Sequence, residues 1–130
     1  MTLQEKIAKA QAQFAEIQPT VVNVEVGGEL TVLTIRPIVG GEWQDIIATH
    51  PPRVGADGDE TVGYNTDAVA VDYPVEAVTV DGETPSSEDW REMLSVLSAP
   101  NRTNIATILY KLNHLDPAIR LVEAGKAFKG

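Results

Sequence analysis

The acidic run Asp57-Gly58-Asp59-Glu60 resembles the start of a calcium-binding loop. A calcium loop of the helix-loop-helix type needs a glycine at its sixth position and a bidentate glutamate at its twelfth. Counted from Asp57, those two positions hold Val62 and Ala68. The residue types therefore fail the pattern, and the run predicts a solvated acidic loop without a metal.

The two histidines, His50 and His114, are the other side chains with catalytic or ligand chemistry. Neither has a second histidine three to five positions away, so a zinc site would need distant carboxylates in no recognisable spacing. His50 could join a serine and an aspartate in a triad, because triads assemble from distant positions, but the GxSxG context is absent. We expect structural histidines, no catalytic residue and no metal ligand.

The glycines and the absence of cysteine exclude further kinds of chemistry. Gly27-Gly28, Gly40-Gly41 and the glycines of residues 55–58 lack the GxxxxGK[ST] and GxGxxG arrangements that hold phosphate groups. With no cysteine in the chain, thiol catalysis and thiolate zinc sites are excluded. The sequence therefore predicts turn glycines, no cofactor and no enzyme.

Length and charge indicate one acidic domain covering residues 1–130. The chain is 43% hydrophobic, and its formal net charge of -9 opposes binding to a phosphate backbone. No lysine or arginine lies between Arg53 and Arg91, which favours a solvated face over a basic partner. No apolar run approaches the roughly 20 residues that span a bilayer, and the first residues lack a secretory signal. We expect a soluble cytoplasmic protein without nucleic-acid or membrane partners.

The elements that must position the side chains begin with a helix and a hairpin. Thr2 and Glu5 have capping-box spacing, which predicts a helix over residues 2–17. Its apolar stripe has helical spacing and consists of Leu3, Ile7, Ala10, Phe14 and Ile17. The β-branched runs within residues 20–37 are separated by Gly27-Gly28, which predicts an antiparallel hairpin.

The remainder, residues 41–128, is predicted to be helical. A helix around Trp43 must end at Pro51-Pro52, and a mobile polar loop is expected over residues 54–61. Residues 66–80 suit either a helix or short strands, and we favour the helix because Asn65 is a good N-cap. Helices are further expected from Ser86, from about Asn101 to Asn113, and after an Asp116-Pro117 cap. The predicted fold class is α+β, with one N-terminal hairpin packed against about five helices.

Three large or charged side chains have both a structural and a partner-binding interpretation. Trp43 and Trp90 lie near helix starts, where a tryptophan either anchors the core or serves as an interface hot spot, and the core role is favoured. Arg53 can donate to backbone carbonyls or to an acid of the following loop, which would hold that loop against the body. Its alternative is contact with a partner.

A set of landmarks in fixed order resembles a known protein family. The landmarks are, in chain order, Trp43, His50-Pro51-Pro52-Arg53, an acidic loop, Gly63-Tyr64-Asn65, Ser86-Ser87-Glu88-Asp89-Trp90 and Leu112-Asn113. This order resembles the small tail assembly chaperones of long-tailed bacteriophages, especially those infecting actinobacteria. The resemblance covers about residues 20–115 and excludes the N-terminal helix.

The resemblance implies a non-enzymatic factor in the host cytoplasm that is absent from the mature virion. It would bind the long, apolar, helical tape measure protein, keep it soluble and present it to tail tube protein during polymerisation. Many members have a longer form made by frameshifting, so this chain would be the short form and the longer one a further partner. The partner-binding residues implied are Trp43, His50, Pro51, Pro52, Arg53, Tyr64, Asn65 and Trp90. We expect a groove between the Trp43 helix and the helices after Trp90, with the 50–65 loop at its rim.

Two other classes of function remain open. A structural virion protein, such as a tail terminator or a head-tail connector, would have a similar size and would persist in mature particles. A small hydrolase would need a concave site with a convergent acid or base, which the sequence does not indicate.

Overall fold

The computed structural model describes residues 1–129 and has the α+β fold class predicted from the sequence. Its elements follow in the order α1 (Leu3–Ala15), β1 (Thr20–Val26), β2 (Glu29–Ile35), α2 (Gly40–Ala48), α3 (Asp57–Val62), α4 (Thr66–Asp72), β3 (Val78–Val80), α5 (Ser87–Val96), α6 (Ala99–Tyr110) and α7 (Asp116–Lys129). A 3-10 turn, Val75–Ala77, precedes β3, and a π-helical turn, Lys111–Leu115, joins α6 to α7.

The predicted hairpin is confirmed. Val26 pairs with Glu29, so Gly27 and Gly28 form a two-residue turn, and both have positive φ angles, of 62° and 83°. Primed turns of this kind match the twist of antiparallel strands and favour glycine. Val22 and Val24 of β1 point into the core together with Leu33 and Ile35 of β2, while the opposite face of β1 is exposed.

The sheet has a third strand, where we had favoured a helix across residues 66–80. Only Thr66–Asp72 is helical, and the helix ends before Pro74 because the residue before a proline is driven out of helical geometry. β3 then pairs antiparallel with β2, with Ile35 opposite Val78. The local pattern suited both structures, and pairing with the free edge of β2 decided between them.

The mobile loop expected over residues 54–61 is also wrong, because Asp57–Val62 forms α3. Three acids in its first turn interact favourably with the helix N-terminus. Gly63 ends the helix in a left-handed conformation with a φ of 90°, and its N–H donates to the carbonyl of Asp59 at 2.7 Å.

The last helix expected at Asp116-Pro117 is present as α7, but Asp116 is not its N-cap. Asp116 already has helical angles, and its carboxylate accepts a hydrogen bond from Nζ of Lys111 at 3.1 Å. A proline inside an α-helix clashes with the carbonyl four residues earlier. The wider π turn at Lys111–Leu115 changes the hydrogen-bond spacing there, and the chain continues helically through Pro117.

The two tryptophans lie in one apolar core, but their indole N–H groups differ. Nε1 of Trp90 donates to the carbonyl of Ala70 at 2.9 Å. In a continuing helix that carbonyl would accept from residue 74, which is a proline without an N–H, so Trp90 supplies the missing donor. Nε1 of Trp43 is buried and has no hydrogen-bond partner among the described residues.

We therefore expect Trp90→Phe to lower the free energy of unfolding more than Trp43→Phe, by about 1–3 kcal/mol. Both changes remove the same volume, but only the first leaves a buried carbonyl without its donor. Urea denaturation followed by circular dichroism compares the two variants. If both variants lose the same free energy of unfolding, the Trp90 hydrogen bond makes no net contribution to stability.

Candidate partner-binding site

Residues 50–65 form a segment that closes on itself. The N–H of Asn65 donates to the carbonyl of His50 at 2.8 Å, which joins the two ends. Asn65 also caps α4, because its Oδ1 accepts from the N–H of Ala68 at 3.1 Å. The HPPR and GYN motifs, which lie apart in the sequence, therefore meet at the base of one short loop and helix.

Asp59 is the centre of this 50–65 segment. Its side chain is 1% exposed, and its carboxylate accepts five hydrogen bonds from Arg53 and Thr66. Nε of Arg53 lies 2.8 Å from Oδ2, and the hydroxyl of Thr66 lies 3.0 Å from Oδ1. The Arg53 guanidinium holds the pKa of Asp59 far below its usual value, against the opposing effect of burial. Arg53 therefore does bond to an acid of the following segment, one of its two expected structural roles.

Further ion pairs connect the segment to the surrounding helices. Nη1 of Arg53 lies 2.9 Å from Oδ2 of Asp67 on α4, and Asp67 lies 3.8 Å from Arg102 on α6. At the start of the segment, Nε2 of His50 lies 2.9 Å from Asp72, which also pairs with Arg91 on α5 at 2.6 Å. Through Asp72, the imidazole of His50 is tied to α4, and Asp72 in turn is paired with α5.

The segment forms one wall of a concavity of about 410 Å³, the α3–α6 groove. Its other wall is α6, and its lining consists of Arg53, Gly58, Thr61, Val62, Tyr64, Thr66, Asp67, Thr103, Ala106, Thr107 and Tyr110. The hydroxyls of Thr61 and Thr107 donate to carbonyls of their own helices, both at 2.9 Å. With those protons engaged, the groove suits apolar side chains bordered by a few charged groups.

Tyr64 connects the groove to the core. Burial raises the pKa of its phenol to about 12, so the ring is neutral at physiological pH. The ring meets that of Trp43 edge to face, with the ring centroids 5.5 Å apart. Trp43 therefore supports the floor of the groove from inside without lining it.

The structure separates the implied partner-binding residues into two groups. Trp43, Tyr64 and Trp90 are buried, whereas Pro51, Pro52 and Arg53 are exposed. His50 and Asn65 are half-buried at the base of the segment. The exposed residues are accessible to a partner, whereas Trp43 and Trp90 lie in the core.

The α3–α6 groove matches the expected groove on one side only. We had placed it between the Trp43 helix and the helices after Trp90, but no residue of α2 lines it, and the 50–65 segment is a wall instead of a rim. The α6 wall agrees with the expectation, because α6 is one of the helices after Trp90. Its lining residues, Thr103, Ala106, Thr107 and Tyr110, recur at helical spacing.

The described part of the chain has neither a metal-binding cluster nor a membrane-spanning helix. No group of three or more histidine, aspartate or glutamate residues there is arranged to hold a metal ion. Among the described helices, none has the length and apolar character needed to cross a membrane.

Comparison with known proteins gives no relative. No protein-family model matches the chain, and neither the curated proteins nor the solved structures include a significant match.

The Asp59 cluster predicts acid sensitivity. We expect Asp59→Asn to lower the free energy of unfolding by about 2–4 kcal/mol, because Arg53 and Thr66 lose a buried acceptor charge. Since the folded-state pKa is depressed, the Asp59 contribution is present above about pH 4, the pKa of an unfolded-state aspartate. It is lost as the pH falls from there towards the folded-state pKa.

Asp67→Asn is the matched control for this experiment. Asp67 pairs with the same arginine, but its side chain is 45% exposed, so we expect a loss below about 1 kcal/mol. Urea denaturation at several pH values measures both variants. The account is wrong if the two variants lose equal stability, or if Asp59→Asn unfolds with the same acid dependence as the unmodified protein.

Proposed function

We propose that this protein is a tail assembly chaperone of a long-tailed bacteriophage, which binds the tape measure protein and keeps it soluble. The observation that carries the proposal is the location of the family-like motifs. The HPPR, acidic and GYN motifs together form the 50–65 segment, and that segment is one wall of the α3–α6 groove.

The shape of the groove fits a helical ligand. Its two walls are helical, and its α6 wall presents small side chains at Thr103, Ala106 and Thr107, which permit close approach of another backbone. An amphipathic helix binds such a surface by placing the residues of one face along it. Tape measure proteins are long, apolar and helical in this family, so one of their helices is the ligand we propose.

The motif residues have a physical role in this function even where they are buried. Arg53 and Asp59 hold α3 against the start of α4, and Trp43 supports Tyr64 beneath the groove. A rigid wall reduces the conformational entropy lost when a partner binds. The motifs therefore prepare a binding surface, and Arg53 is the motif residue that both braces the wall and borders the groove.

The charge of the chain suits a chaperone of an apolar protein. The net charge is -9, and residues 54–90 contain no lysine or arginine. Bound to an apolar helix, the acidic exterior would keep complexes apart by mutual repulsion. In this function the protein acts in the host cytoplasm without catalysis, with tail tube protein and a frameshifted longer form as further partners.

Filling the groove tests the proposal. We expect Thr107→Trp to reduce soluble recovery of coexpressed fragments of the same phage's tape measure protein, because the indole would occupy the groove. Asn104→Trp is the matched control, since Asn104 is also an exposed polar residue of α6 but does not line the groove. Copurification and soluble yield are measured for both variants.

The possible results distinguish an error about the binding surface from an error about the chaperone function. If both variants keep the fragments soluble, another surface binds them. If the folded, unmodified protein neither binds nor solubilises any fragment, the chaperone function is excluded.

Mature particles provide a second test. A chaperone is released before the tail is complete, so we expect mass spectrometry of purified virions to detect tape measure and tube proteins but not this chain. Recovery of the chain in stoichiometric amounts would instead support a structural role, such as a tail terminator or a head-tail connector.

A further inference from the structure

The charges of the chain are divided between its body and its two terminal helices. Residues 1–17 and 111–129 contain six basic and four acidic side chains, a formal charge of +2. Residues 18–110 contain four basic and fifteen acidic side chains, a formal charge of -11. The two terminal segments are therefore net basic, whereas the rest of the chain is strongly acidic.

The N-terminal helix α1 carries an apolar stripe that the rest of the chain does not cover. Its members, Leu3, Ile7, Ala10, Phe14 and Ile17, alternate in steps of four and three, the spacing of a coiled-coil seam. No residue of α1 is buried, and the side chains of Leu3 and Ile7 are 69% and 40% exposed. Arg36 holds only the end of the helix, by donating to the carbonyls of Ala15 and Ile17.

The lower half of this seam borders an open concavity of about 680 Å³, the terminal trough. Ala10, Phe14 and Ile17 line one side of the trough, and Arg120 and Ala124 of α7 line the other. The trough therefore continues the apolar stripe of α1 towards the body, and it is separate from the α3–α6 groove.

Basic residues lie on both sides of the trough. Lys9 and Lys6 lie one and two turns before Gln13, a lining residue, and helical spacing places them along the same edge of α1. Arg120 lies on the opposite wall, and Glu16 is the one acid in the lining. An occupant with acidic residues beside an apolar stripe matches this arrangement.

We propose that the terminal trough and the α1 seam bind an acidic amphipathic helix of a partner protein. The helix would place its apolar residues against Ile7, Ala10 and Phe14, and its carboxylates beside Lys6, Lys9 and Arg120. This interaction does not depend on the proposed function, because it uses a different face of the molecule.

A second copy of this chain is a poorer occupant. Exposed apolar residues at seam spacing also occur at Leu115 in the π turn and at Ile119 and Val122 on α7, and they lie among Lys111, Arg120 and Lys126. Docking that stripe on α1 would bring these cations towards Lys6 and Lys9. Like-charge contacts of this kind oppose the pairing.

The test uses two synthetic peptides of about three heptads, each with leucine at the seam positions. One peptide carries glutamate at the flanking positions and the other carries lysine. Fluorescence anisotropy measures their binding to the full chain. We expect the glutamate peptide to bind the unmodified protein at least about tenfold more tightly than the lysine peptide does.

Variants then locate the site. Ile7→Ser should weaken binding of the glutamate peptide by about tenfold, and the double change K6E/K9E by about threefold to tenfold. Leu30→Ser is the control, because Leu30 is as exposed as Leu3 but lies on the hairpin. Thr107→Trp should also leave this binding unchanged, which separates a failure here from a failure of the α3–α6 groove. Circular dichroism confirms that each variant is folded.

Three results would overturn the proposal. The first is equal or tighter binding of the lysine peptide, and the second is full affinity of Ile7→Ser for the glutamate peptide. The third is concentration-dependent self-association, abolished by Ile7→Ser, in a protein that binds neither peptide, which would assign the seam to a second copy.

Discussion

The buried carboxylate of Asp59 is the constraint on which the candidate site depends. An ionised group that is almost inaccessible to water is tolerated only when charge and hydrogen bonds replace its hydration. Five donors provide that replacement. They belong to Arg53, which precedes α3, and to Thr66, the first residue of α4. Satisfying one charge therefore fixes the position of α3 relative to α4, and with it one wall of the α3–α6 groove.

Prolines impose a second set of constraints, because each removes a backbone donor. Pro74 leaves the carbonyl of Ala70 without its helical partner, and the indole of Trp90 takes that place. Pro117 is accommodated by the π turn, which also carries Asn113. Asn113 accepts from the N–H of Ile38 and donates to the phenol of Tyr73, and this phenol donates to the carbonyl of Arg36. Tyr73 and Asn113, which lie beside these interruptions, thus connect the helices to the residues that follow β2.

The two candidate surfaces differ in construction, and this difference bears on what they bind. The α3–α6 groove is braced by ion pairs and by the Trp43–Tyr64 contact, so its shape exists before a partner arrives. The terminal trough has an uncovered helix as one wall and basic residues along its borders. As proposed binding sites, the first would select a ligand mainly by apolar fit, and the second by apolar contact together with charge. A protein with both can hold one helix and contact another polypeptide at the same time.

The sequence determined the elements whose signals are local. Each of these elements depends on residues within a few positions of one another, and all are present. They are the cap at Thr2, the Gly27-Gly28 turn, the end of α2 before the two prolines and the cap at Ser86. It also indicated that Arg53 could bond to an acid of the next segment.

Tertiary structure alone decided that this acid is Asp59 and that residues 57–62 are helical around it. Pairing with β2 made Val78–Val80 a strand, and packing of α6 against α4 placed the α6 face across the groove from α3. Each of these outcomes depends on groups distant in sequence that satisfy one charge, one sheet edge or one apolar surface, which no local pattern records.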